Sequence, residues 1–138
     1  MYGKAHLLAD VSGYFTSGFE KLTPKRLLDT RGSGDKVGDI DGNSAAYELQ
    51  VTGEKGVPTD ISAVALNVTV TETEAGDYGG FVTVYPCGTR PDALNLNFTN
   101  GQTIPNSVIA PVSTDGEVCF YVYGTAHLLA DINGYFPG

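Results

Sequence analysis

The sequence predicts an all-β fold, a two-sheet antiparallel sandwich or jelly roll, and three observations carry that expectation. Glycine and proline are abundant, at 18 and 7 residues, tryptophan is absent, and charged residues make up only 17% of the chain, against roughly 25% in an average soluble domain. Short runs of β-branched, aromatic and aliphatic residues recur along the whole length, each bounded by Gly, Pro, Asn or Asp, which is how strands and turns are spelled. Runs at helical spacing are missing from the sequence. With 138 residues the chain is long enough for one domain with a real hydrophobic core. A β-trefoil is the alternative architecture, but it requires an echo every ~40 residues, which the sequence lacks.

In order, strands are expected at about 5–11, 25–30, 45–52, 61–72, 80–86, 93–98, 107–113, 117–123 and 126–132. The clearest is Ala63–Thr71, where Val64, Leu66, Val68 and Val70 alternate with Ala65, Asn67, Thr69 and Thr71, the period of two that puts one face on a core. Between Val108–Val112 and Val118–Val122 stands Thr114-Asp115-Gly116-Glu117. Asp-Gly between apolar runs predicts a hairpin there.

The two ends of the chain repeat each other. Residues 2–15 read YGKAHLLADVSGYF and residues 123–136 read YGTAHLLADINGYF; only Lys4/Thr125, Val11/Ile132 and Ser12/Asn133 differ. Coincidence cannot produce such a match, and no third copy lies between. A tandem array with a period of 121 residues accounts for it; the alternative is a single domain with two similar strands related by internal pseudo-symmetry, which would leave other echoes between the ends. On the array reading residues 1–15 are the closing strand of a preceding repeat and residues 16–138 are one complete β-sandwich unit. Met1 leads straight into a strand-like segment, which points to an internal fragment behind a start codon. Two near-identical segments compete for one place in the sheet. Residues 2–15 are therefore expected to pair on a free edge or to donate into a neighbouring molecule as a strand-exchanged oligomer.

A formal charge of -8 repels a polyphosphate backbone and argues against nucleic acid as a partner. The longest apolar runs, Ala5–Ala9 and Val118–Val122, fall far short of the ~20 residues that span a bilayer, so no membrane insertion is expected. Cys87 and Cys119 are the only cysteines, too few for a zinc site without histidine neighbours. A disulfide between them is expected, closing a loop of about 33 residues, with buried free thiols as the alternative. A disulfide suits an exported protein.

The side chains with chemical potential have structural readings beside them. His6/Asp10 and His127/Asp131 share a strand face but stand ~13 Å apart along it, too far to act as a dyad. Asp29 and Arg31 share a face and suit the anchoring of a turn, with Arg31 as a candidate clamp for a carboxylate or sugar hydroxyl. Asp35, Asp39, Asp41 and Asn43 alternate in a Gly-rich loop and are the candidate calcium ligands. The loop departs from the helix-loop-helix calcium pattern, because counting from Asp39 the sixth and twelfth positions are Ser44 and Gln50. Glu72, Glu74 and Asp77 form a second acidic turn. Asn67-Val68-Thr69 and Asn97-Phe98-Thr99 match the glycosylation pattern, but Asn67 falls inside an expected strand, and cross-strand hydrogen bonding is the favoured reading of these side chains. Tyr47, Tyr78 and Tyr123 lie near expected loops and are candidate stacking platforms for sugars, together with Arg31 and Arg90.

The ordered set Pro24–Arg31, Ala65–Thr71, Thr83–Gly88, Gly101-Gln102-Thr103 with Asn106, and Asp131–Phe136 resembles an extracellular repeat of large surface or secreted proteins of actinobacteria and other bacteria. It covers nearly the whole chain. The resemblance implies a secreted or cell-surface location and an accessory role in tandem or beside catalytic domains, and it carries over no active site. The expected function is thus a non-catalytic structural or adhesive module without a required cofactor. The alternative is a carbohydrate-binding module that holds an enzyme or a cell on a polysaccharide or surface glycan. A hydrolase is disfavoured, because no nucleophile with a partnered base is recognisable.

Overall fold

The structure is a computed structural model describing residues 2–11 and 14–138. Among the described residues eight strands follow in chain order: β1 (Glu20–Asp29), β2 (Val37–Asp39), β3 (Tyr47–Gln50), β4 (Ile61–Glu74), β5 (Gly80–Pro86), β6 (Leu96–Phe98), β7 (Ile104–Pro111) and β8 (Glu117–Pro137). One turn of 3-10 helix, Thr30–Gly32, follows β1. The chain is all-β and antiparallel, as composition and alternation predict.

The 21-residue β8 is the axis of the molecule. β1, β2 and β3 line one flank of it end to end, pairing with its residues 129–135, 123–126 and 117–120 respectively. β4 and β5 line the other flank, opposite 125–137 and 118–123. β7 adds outside β4, and β6 outside β5. The two arms of this sheet curl toward each other, and Asn106 Nδ2 of β7 donates to the Asn95 carbonyl just before β6, so the sandwich closes almost as a barrel.

Alternation fills the interior. Val118, Phe120, Val122, Ala126, Leu128, Ala130 and Ile132 of β8 face Val64, Leu66, Val68 and Val70 of β4, Val82 and Val84 of β5, and Val108 and Ala110 of β7 in one core. Each fully buried aliphatic side chain contributes about 1.5–3 kcal/mol.

Four sequence expectations change. The two strands expected at 117–123 and 126–132 are one, because Gly124 sits at φ +90°, where a Cβ would lie 2.7 Å from the Glu74 carbonyl oxygen. Only glycine lets β8 run on between its two sets of neighbours there. The expected hairpin keeps its turn, closed by Ser113 N–H to the Glu117 carbonyl and Gly116 N–H to the Ser113 carbonyl. Its strands then part, since β7 pairs with β4 while the end of β3 takes the place beside β8. β2 carries too short and glycine-broken a run to be read from sequence.

The fourth change concerns the leading segment. Residues 5–11 form no strand, because the place that their sequence fits is filled by residues 126–132. The same side chains consequently meet opposite fates: Leu128 and Leu129 are 0% and 8% exposed, whereas Leu7 and Leu8 are 79% and 90% exposed. Ser12 and Gly13 of this segment lie outside the described residues. No helix among the described residues is long and apolar enough to cross a membrane.

Candidate binding face

Two clusters of polar and aromatic side chains lie on the outer faces of the sheet, one on each half of β8. The first surrounds the β1–β8–β4 junction. Asp29 caps the 3-10 turn by accepting from Arg31 N–H, and its carboxylate is forked by Arg31 Nε and Nη2 at 2.9 and 2.8 Å. Those hydrogen bonds, reinforced by the charges of Arg31 and Arg26, hold the Asp29 carboxyl down at about 2 from its usual 3.8. Arg26 reaches both Asp29 and Asp131, its partner across the strand pair. Arg31 is thus committed to its own turn, the structural reading of that pair.

Beneath this network His127 is buried. Thr30 Oγ1 lies 3.0 Å from His127 Nδ1 and accepts the Leu128 N–H at 2.9 Å. The hydroxyl thus bridges the Leu128 amide and Nδ1 of the imidazole, whose Nε2 faces Glu72 at 3.8 Å. Glu72 is turned there by a bulge in β4, where it adopts φ +51°. His127 and Asp131 therefore serve different partners, as their separation along the strand requires.

The acidic turn is similarly engaged. Glu74 accepts from Lys36 Nζ at 2.8 Å and from Thr125 Oγ1 at 3.0 Å, which lowers its carboxyl pKa. In the Gly-rich loop the Asp39 carboxylate accepts the Asp41 N–H at 2.7 Å and shapes a turn. Among the described residues no three His, Cys, Asp or Glu side chains converge as a cation site.

The second cluster lies on the outer face of β5 and the first half of β8. Phe81, Thr83 and Tyr85 alternate outward on β5 and stand opposite Tyr123, Tyr121 and Cys119. Phe81 and Tyr123 stack in parallel with ring centres 5.5 Å apart, and the Arg90 guanidinium lies 3.6 Å from the centre of the Tyr121 ring, a cation–π contact. Tyr121 donates its hydroxyl proton to the Gly42 carbonyl at 2.8 Å. The expected Cys87–Cys119 disulfide is present, with Cα atoms 4.9 Å apart, and it packs against Tyr85 and Tyr121. Beside Arg90 a cleft of about 140 Å³ is lined by Phe81, Thr83, Pro91, Asp92 and Ala93.

Of the five residues singled out for ligand binding, the structure brings only Arg90 and Tyr123 to one surface. Tyr47 is in register with Phe120 and opens on a separate cleft of about 420 Å³ beside Thr30, Lys36 and Val37. Tyr78 stands fully exposed at the β4–β5 turn. Phe81 and Tyr121 join the surface of Arg90 and Tyr123 as well, and period-two alternation on Phe81-Thr83-Tyr85 and Cys119-Tyr121-Tyr123 is the sequence signal that marks them. No protein-family model matches the chain, and no curated protein matches it.

Proposed function

We propose that this chain is a non-catalytic structural or adhesive repeat module of a secreted or cell-surface protein, residues 16–138 being one unit and residues 1–15 the closing strand of the unit before. One observation carries the reading: of the segment duplicated at offset 121, Ala126, Leu128, Leu129 and Ile132 are buried in the axis of the fold, whereas Ala5, Leu7, Leu8 and Val11 are exposed. A strand built to be buried yet lying outside a completed core belongs to another unit of an array. The disulfide suits an oxidising compartment, and the resemblance to bacterial extracellular repeats agrees with it. The polar groups with chemical potential support a scaffold, since His127, Asp29, Asp131 and Glu74 each hold a strand or a turn in place.

Chains of one, two and three units at this period, compared by small-angle scattering, test the array. The maximum dimension is expected to rise by one constant increment per unit while the melting temperature stays that of the single unit. Collapse of the units onto one another would refute a projecting array.

The Phe81–Tyr123 stack beside the Arg90 cleft favours a second reading, a glycan-binding face in which Tyr123, 36% exposed, offers its ring to a sugar. A glycan array probed with and without calcium, using the protein and its Phe81→Ala and Arg90→Ala variants, tests it. Signals that both variants abolish support this face, and signals indifferent to both exclude it.

A further inference from the structure

We infer that the leading segment is a second, competing closing strand for the very fold it precedes: residues 3–15 can replace residues 124–136 in the sheet, folding back on β1 as a hairpin. The inference concerns this chain alone and holds with or without the array.

Register makes the exchange geometrically simple. Glu20 pairs with Tyr135 and Lys21 with Gly134. By sequence, Tyr14 stands for Tyr135, so a leading strand in that place meets Glu20 across a loop of residues 15–19. Five residues is within the usual length of a β-hairpin connection, and Gly18 already holds φ +80° inside it. The loop is also seated already: Phe15 stacks on Phe19 with ring centres 5.3 Å apart and meets Phe136 edge-on at 5.7 Å. Phe15 thus lies one ring away from the residue whose place it would take.

The side chains fit as well as the register. Ala5, His6, Leu7, Leu8, Ala9 and Asp10 duplicate Ala126 to Asp131, so the Thr30 bond to the buried histidine and the Arg26 pair with the aspartate can both re-form. Gly3 duplicates Gly124 and already holds φ +88° against +90°. Lys4 replaces Thr125 beside Glu74, where a cation is welcome. Only one fully buried position changes, Ile132 to Val11, and the loss of one methylene weighs about fivefold against the leading copy. Contiguity with residues 117–122 adds to the preference for residues 124–136, which is the arrangement observed. In an array each closing strand would then have two places open to it, the unit behind and the unit ahead.

The full-length chain tests this through Leu128→Asp, Leu7→Asp and the double variant, since a charge at either position bars that copy from the core. Leu7→Asp is expected to leave the melting curve unchanged. Leu128→Asp is expected to remain folded and monomeric, with hydrogen-exchange protection moving from the amides of 126–132 to those of 5–11. The double variant is expected to lose the cooperative transition. Three results overturn the inference: Leu128→Asp as unfolded as the double variant, protection that does not move, or a Leu128→Asp dimer, which would place the exchange between molecules instead of within one.

Discussion

Replacing Thr30 with valine keeps the shape of the side chain and removes the hydroxyl that ties the 3-10 turn to β8. In the folded protein Thr30 is 4% exposed, and its oxygen serves both the Leu128 N–H and His127 Nδ1. Without it two polar groups are left in the interior, each costing roughly 1–3 kcal/mol. With partial relaxation of the imidazole the loss is about 2–4 kcal/mol. Thr30→Ser retains the hydroxyl and gives up one methyl, for about 1 kcal/mol. Because the chain has no tryptophan, urea unfolding is best followed by far-ultraviolet circular dichroism. A slope of about 2 kcal/mol per molar urea translates the valine loss into a midpoint lower by about 1–2 M. A valine variant within about 0.5 kcal/mol of the parent, a magnitude typical of an inconsequential surface change, or a serine variant as unstable as the valine one, would refute the role of this hydroxyl.

Reducing the Cys87–Cys119 bond, or replacing both residues with serine, frees a loop spanning 32 positions and is expected to cost about 3–4 kcal/mol; a midpoint unchanged under reductant would contradict that. Asp29 makes stability depend on acid. Its pKa is lowered to about 2 in the fold from 3.8, so its contribution is complete above about pH 4 and is lost as pH falls through 2. The stability gap between the parent and Asp29→Asn should accordingly narrow over that window and vanish at its acid end, and a gap independent of pH would show that the carboxylate charge is not what the turn uses.

The sequence by itself determined the features that arise from local chemistry or from identity between segments. Alternation of Val64, Leu66, Val68 and Val70 specified which face of β4 enters the core, because a period of two admits only one burial pattern. The Ser113–Glu117 turn, the anchoring of Arg31 on Asp29, and the cysteine pairing were legible for similar reasons, and the near-identity of residues 2–15 and 123–136 is visible in the sequence alone. What tertiary structure decided was competition. β7 left its hairpin because β4 offered a longer partner, with eight paired positions. Arg90 and Tyr123 share a surface, while Tyr47 and Tyr78 do not, since neighbours across strands are set by register and not by distance along the chain. Above all, AHLLAD is a buried strand at 126–131 and an exposed segment at 5–10. Identical residues have identical propensities, so only occupancy of the single place beside β1 and β4 could separate them.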